Sequence, residues 1–156
     1  MERLTVLVLS IAVFCMGISS AAAQLPPPKK EAELIAAGYK QLTAVQVTSM
    51  LIGNTTAEIA LAKVGNIQTG GIAKIFWRDE RTRIWMPQGG PLAGRKLESI
   101  WWMEGNLMCS ERMEAQGEGH GCRALYQVDS SLYSCGRSSG TCNSLVRVLP
   151  GNPDGI

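Results

Sequence analysis

From Gly53 onward the chain is a succession of short apolar or alternating segments separated by turn signals, and that rhythm constrains its fold more than any other feature. Thr55–Ala62 is threonine-rich and alternating, with Ile59 and Leu61 on one face. Gly65–Gly71 is a turn. Ile72–Trp77 and Arg83–Met86 bracket the polar turn Arg78–Thr82, and Pro87–Gly94 reads as a loop. Leu97–Met103 and Leu107–Met113 flank Glu104-Gly105-Asn106, a strong hairpin signal. Glu114–Gly121 is a glycine-rich loop. Cys122–Val128 and Leu132–Cys135 form another short pair, and Asn143–Leu149 precedes the turn Pro150-Gly151-Asn152-Pro153. Short strands joined by tight turns pair with their sequence neighbours. The expectation is an antiparallel sheet of seven or eight strands that curls into a small barrel or half-barrel.

One helix precedes the strands. Thr43-Ala44-Val45-Gln46 is a capping box, in which the Thr43 hydroxyl accepts the Gln46 amide proton while the Gln46 side chain reaches back. Leu42 and Val47 occupy the staple positions. Val47, Met50 and Leu51 follow at helical spacing, and Gly53 can end the helix in the left-handed conformation. The spacing predicts a helix from Ala44 to Ile52 that packs on the sheet. The fold class is therefore mainly β (α+β), in one domain over residues 42–156.

The N-terminus reads as an export signal. Met1-Glu2-Arg3 leads into an uncharged run from Leu4 to Ala23, which ends in the small residues Ala21-Ala22-Ala23. This pattern predicts a signal peptide over residues 1–23, cleaved before Gln24. Cys15 is preceded by Phe14 and does not suit a lipoprotein site. Gln24–Lys30 (QLPPPKK) is polyproline-like, so residues 24–41 are expected to be a tether with one loose helical turn over Glu31–Gln41, interrupted at Gly38. The reading places the protein in the periplasm or outside the cell, with no transmembrane segment after the leader. Four cysteines remain after it, an even number that reads as disulfides in an exported chain. Of three pairings, Cys109–Cys122 with Cys135–Cys142 is favoured because each pair brackets a glycine-rich turn.

Several segments in this order carry a family likeness: Leu51-Ile52-Gly53-Asn54-Thr55 after a capped helix, then Trp101-Trp102-Met103-Glu104-Gly105-Asn106-Leu107-Met108-Cys109. Gly121-Cys122-Arg123-Ala124-Leu125-Tyr126 and the terminal Val148-Leu149-Pro150-Gly151-Asn152-Pro153-Asp154-Gly155-Ile156 complete it. Over residues 42–156 the chain resembles a family of small exported proteobacterial proteins of rhizobial type, whose function is unknown. It departs at Arg78-Asp79-Glu80-Arg81, where that family tends to have a plain Asp-Gly turn. The resemblance implies a Gram-negative periplasm and a β-rich domain, and it supplies no catalytic residue.

No constellation points to catalysis. Gly136-Arg137-Ser138-Ser139-Gly140 matches the nucleophile-elbow pattern, but that elbow needs a following helix and a later histidine. The single histidine, His120, lies upstream. Gly117, Gly119 and Gly121 lack the Lys-Ser/Thr ending of a phosphate loop. Glu111, Glu114 and Glu118 read as a solvated acidic loop. His120 with Met103, Met108, Met113, Cys109 and Cys122 offers the soft donors that copper prefers. However, Met108 and Cys109 are adjacent on a strand and point to opposite faces. No cofactor is expected, and the chain reads as a non-enzyme.

The segment Lys74–Lys96 stands out. It holds six basic residues (Lys74, Arg78, Arg81, Arg83, Arg95, Lys96) against Asp79 and Glu80, in a chain whose net charge is only +2. That net charge does not suggest a nucleic-acid partner. Trp77 and Trp85 lie within the segment and Trp101 and Trp102 follow, on opposite faces of one strand. Exposed aromatics beside arginines suit stacking on sugars or anionic polymers. The expected site is therefore a basic hairpin of Trp77, Arg78, Arg81, Arg83 and Trp85 with Trp101. It would contact an envelope glycan, an anionic polymer or a protein. The alternatives are a lipocalin-like barrel holding a hydrophobic ligand, and a copper-binding protein.

Overall fold

The computed structural model describes residues 25–63, 70–111, 120–129 and 131–156. The expected signal peptide at residues 1–23 lies outside the described residues, as do Met113 and most of the turn at 65–71 and the loop at 114–121. Eight strands form where the turn rhythm puts them: β2 (Thr55–Ala60), β3 (Gly70–Trp77), β4 (Thr82–Pro87), β5 (Leu97–Glu104), β6 (Leu107–Glu111), β7 (His120–Val128), β8 (Ser131–Gly136) and β9 (Thr141–Leu149). Each pairs antiparallel with the next, and β9 returns to pair with β2 along Ala60↔Ser144 to Thr55↔Leu149. The sheet is thus a closed eight-stranded meander, which leaves no open edge between its first and last strands. A short β1 (Lys29–Lys30) adds to the part of β9 that β2 does not reach, opposite Cys142 and Thr141.

Turn chemistry explains the hairpins. Gly105 adopts φ 59° between β5 and β6, a left-handed conformation that glycine takes without steric penalty. At the β3–β4 turn the Asp79 carboxylate accepts the main-chain N–H of Arg81 at 2.8 Å and of Thr82 at 2.7 Å. These bonds stabilise the charged form and hold the Asp79 pKa below its usual value. The charged Arg78–Arg81 stretch thereby does the work of an Asp-Gly turn.

Helix α2 (Ala44–Leu51) begins at the expected capping box, with the Gln46 amide donating to Thr43 Oγ1 and Thr43 N–H donating to Gln46 Oε1. Its first amide also donates to Asn106 Oδ1 at the β5–β6 tip. At its other end Gly53 N–H donates to the Trp77 carbonyl at the end of β3. The helix therefore crosses one end of the barrel. It drives Val47 and Leu51, both fully buried, into a cluster with Ile75, Trp77, Trp101, Met108, Leu125, Leu132 and Val146. Burying side chains of this size contributes roughly 1.5–3 kcal/mol each.

A second cluster lies on the outer face of β7–β9, where Ala124, Tyr126, Val128, Tyr133, Leu145 and the Cys135–Cys142 pair are covered by Leu34. Leu34 belongs to α1 (Glu31–Ala36) and is 1% exposed. The Tyr126 hydroxyl donates to Glu31 Oε1 at 2.9 Å, and Gln41 bridges to Tyr126. The expected tether over residues 24–41 is therefore corrected from Lys29 on. That segment is docked on the barrel because the apolar outer face of β7–β9 needs a cover. Double coverage also explains why β8 reads as four consecutive buried residues rather than an alternation.

Both disulfides, Cys109–Cys122 and Cys135–Cys142, link residues directly opposite one another on adjacent strands. Closing loops of these lengths stabilises by about 3 and about 2 kcal/mol in the chain-entropy account. Among the described residues no helix is long and apolar enough to cross a membrane.

Candidate functional site

The tryptophans expected on a stacking surface are inside the barrel. Trp77 and Trp101 are each 1% exposed and meet edge to face at 4.9 Å, and Trp85 is buried at the other end of the same strand pair. Trp77 Nε1–H donates to Thr56 Oγ1 and Trp101 Nε1–H donates to the Asp79 carbonyl, which satisfies both indoles. Arg83 is buried too. Only Arg78 and Arg81 of the expected hairpin remain exposed, and Arg78 pairs with Glu98 at 3.1 Å. The expected hairpin surface is thus split by strand alternation. Trp77, Arg83, Trp85 and Trp101 face inward, and the structure does not assemble them with Arg78 and Arg81 into one exposed face. Trp102 points outward and lies against His120 with ring centroids 5.6 Å apart.

The barrel encloses charge. Arg123 on β7 pairs with Glu58 on β2 at 3.5 Å. These strands are separated by β8 and β9 around the barrel wall, so the pair closes across the interior. Arg83, on β4, completes the group. Its Nε–H donates to Ser99 Oγ at 2.9 Å and an Nη–H to the Glu111 carbonyl at 3.3 Å, and its guanidinium lies 5.6 Å from the Trp77 ring centroid. Burial pulls the Arg83 guanidinium down to about 10, a shift that the Glu58 and Glu111 carboxylates oppose and Arg123 reinforces. Ser110, Ser134 and Ser144 lie on the same inward face, as their register with Gly121, Leu125 and Ala60 requires. The interior is therefore divided: apolar against α2, and polar toward the opposite end.

At that polar end a concave pocket of about 550 Å³ opens between β6, β7 and the β8–β9 turn, with Ser110, His120, Arg123, Arg137 and Ser138 in its wall. Gly121 and Gly136 stand opposite Ser110 and Arg123 and have no side chains to close it. Arg123 is the group that spans pocket and interior. Its side chain is 39% exposed while that of Glu58 is 11% exposed. Two residues from Gly136, on the same inward face, the buried Ser134 hydroxyl has no hydrogen-bond partner among the described residues.

The other candidates resolve plainly. Met103 and Met108 form a cross-strand pair on the inward side, whereas His120 and the Cys109–Cys122 disulfide are on the outer side. The described members of the copper set do not converge, and its cysteine sulfurs are bonded to each other. Glu104 Oε2 lies 3.7 and 3.9 Å from those two sulfurs, which as a disulfide offer no thiolate. The nucleophile-elbow pattern is the β8–β9 hairpin tip, where Ser139 Oγ accepts the Thr141 N–H.

Sequence reading missed Glu58 and Arg123. The signal for Glu58 is the alternation of Thr55–Ala60: Ile59 and Leu61 do share one face, that of the outer cluster, which leaves Thr56, Glu58 and Ala60 to face inward. Arg123 shares its face with Leu125, and a basic residue two positions from a core leucine was the available clue. Comparison with known protein families, with curated proteins and with solved structures gave no match.

Proposed function

We propose that this protein is an exported, non-enzymatic binding module that receives a small ligand at the polar end of its barrel. The observation that carries the reading is the buried Glu58 and Arg83 on the inward face of a closed barrel, with Glu58 paired to Arg123 at an open pocket. Buried charges are expensive, and a fold gains little stability from them over apolar residues of similar size. The barrel has one end plugged by α2 and, among the described residues, a polar pocket at the other, which favours the lipocalin-like alternative over the basic hairpin. The apolar half is filled by Trp77, Trp101, Met108 and Leu125, so the ligand is small and sits toward the polar end. The two disulfides support a location in an oxidising compartment, the periplasm or beyond.

The test is a ligand panel (sugars, amphiphiles, organic acids) scored by thermal shift and by intrinsic tryptophan fluorescence. A ligand of this site raises the melting temperature and changes the emission of the buried tryptophans, since Trp77 lies beneath Arg83. Partners that instead bind only through Arg78 and Arg81, with no change in emission, overturn the proposal in favour of a surface role.

A further inference from the structure

We propose, resting on the barrel-end reading, that the ligand carries an oxyanion, carboxylate or phosphate, which Arg123 binds in place of Glu58. Three separate observations converge on this group. First, two guanidiniums on the inward face, Arg83 and Arg123, have one inward carboxylate between them, Glu58, and the Glu111 carboxylate that also acts on Arg83 is exposed. An incoming anion supplies the missing negative charge. Second, the pocket wall is basic and rich in donors. Arg137, Ser110 and Ser138 line the pocket with Arg123, and the outward-facing His120 and Glu111 complete its rim. Arginine presents a planar fork of donors that matches carboxylate and phosphate oxygens. Third, the Ser134 hydroxyl is fully buried, faces inward beside Gly136 and has no partner among the described residues. A buried hydroxyl left without a partner is unfavourable, and this one lies one inward position beyond Gly136 of the pocket wall.

Glu58 then acts as an internal stand-in. It is the more buried member of the pair and holds Arg123 across the barrel. At 3.5 Å from Arg123, its contact is longer than a well-formed charge-assisted hydrogen bond. A ligand oxyanion entering from the pocket approaches the exposed side of Arg123 and competes with this contact. Arg83, fixed by Ser99 and the Glu111 carbonyl, provides a second positive charge behind it.

The experiment is isothermal titration calorimetry on the protein purified from cells expressing the full chain. The probes are acetate, succinate and inorganic phosphate, with neutral acetamide as the control, at two chloride concentrations. N-phenyl-1-naphthylamine, an uncharged apolar probe, is run in parallel by tryptophan fluorescence. At least one of the anions binds and acetamide does not, and which anion binds identifies carboxylate or phosphate. Glu58→Gln removes the competitor and tightens anion binding by about tenfold, equivalent to 1.4 kcal/mol. Arg123→Gln weakens it by more than about tenfold. The double variant Glu58→Gln/Arg123→Gln, which leaves no uncompensated charge at the pair, also loses binding while keeping the wild-type circular dichroism. Anion binding weakens at the higher chloride concentration, as expected of a partly exposed guanidinium. If the uncharged probe binds and none of the anions does, the oxyanion assignment falls while the barrel-end site stands. Anion binding unchanged in the double variant overturns the assignment to Arg123. If no ligand of any class binds, both proposals fall.

Discussion

Replacing Trp77 tests the division between interior and surface directly. Trp77 is 1% exposed, donates its indole N–H to Thr56 at 2.9 Å and packs edge to face on Trp101. Truncating a buried tryptophan to alanine costs about 3–5 kcal/mol, and the lost hydrogen bond and aromatic pair place Trp77→Ala at the upper end of that range. Trp77→Phe keeps a ring but loses the donor, about 1 kcal/mol, and part of the apolar area, about another 1 kcal/mol. Arg81→Ala is the surface control. The Arg81 main chain donates to Asp79 and accepts from Trp101, contacts that alanine retains, so the change stays within about 0.5 kcal/mol. Urea unfolding followed by far-ultraviolet circular dichroism gives all three values without depending on tryptophan emission. The expected order is Trp77→Ala, then Trp77→Phe, then Arg81→Ala. Should Trp77→Ala lose less than about 1 kcal/mol, well under the cost of a core truncation, Trp77 is a surface residue and the barrel interior described above is wrong.

Two further outcomes probe the docked N-terminal segment. Leu34→Ala lowers stability by about 2–4 kcal/mol in the same urea assay, because Leu34 is the lid of the outer cluster; a solvated tether would leave the midpoint unmoved. The Tyr126 phenol is raised from 10.0 to about 12, first by burial and then by its hydrogen bond to Glu31 and that carboxylate's charge. Folding thus favours the neutral phenol, so its contribution is fully present below about pH 10 and is lost as pH rises through about 12. Spectrophotometric titration at high pH detects this, and Glu31→Gln moves the transition back toward the ordinary value; an unshifted Tyr126 in the wild type refutes the contact.

The parts of this fold that were legible in the sequence are those governed by local physics. The capping box at Thr43–Gln46 and the glycine turn at Gly105 act within a few residues, so α2 and the β5–β6 hairpin form where the pattern places them. The disulfide pairing followed because each cysteine pair flanks one hairpin. What was not legible depends on contacts distant in sequence. The meander's closure is a pairing of β2 with β9, about 90 residues apart, and nothing local encodes it. The docking of α1 is set by an apolar outer face that β7–β9 acquire only once the barrel exists. The tryptophans misled because an aromatic beside arginines looks alike on a surface and in an interior. Trp77 and Arg83 are cross-strand neighbours on the inward face, a register that alternation alone leaves open. The candidate site was hidden for the same reason, since Glu58 and Arg123 meet only across the closed barrel.

Arg83 offers the sharpest test of whether the interior charges serve stability or binding. Its pKa of about 10 means that the barrel disfavours the charged form relative to water, although the residue remains charged at neutral pH. Against that stand one hydrogen bond to Ser99, one to the Glu111 carbonyl and the Trp77 ring face. Methionine has a similar length and no charge to desolvate. In Arg83→Met, Glu58 keeps Arg123 as its partner, so no lone buried charge is left, and the Arg83–Arg123 repulsion disappears. Replacement of a buried ion under these conditions is often neutral or stabilising, so Arg83→Met is expected between no change and a gain of about 2 kcal/mol. The same variant weakens oxyanion binding, because the second positive charge behind Arg123 is gone. A more stable protein with a poorer site is the pattern of a residue kept for function. A loss of more than about 3 kcal/mol on Arg83→Met, the cost of breaking a needed buried contact, would instead make the guanidinium a structural strut. The charge imbalance inside the barrel would then no longer argue for a ligand.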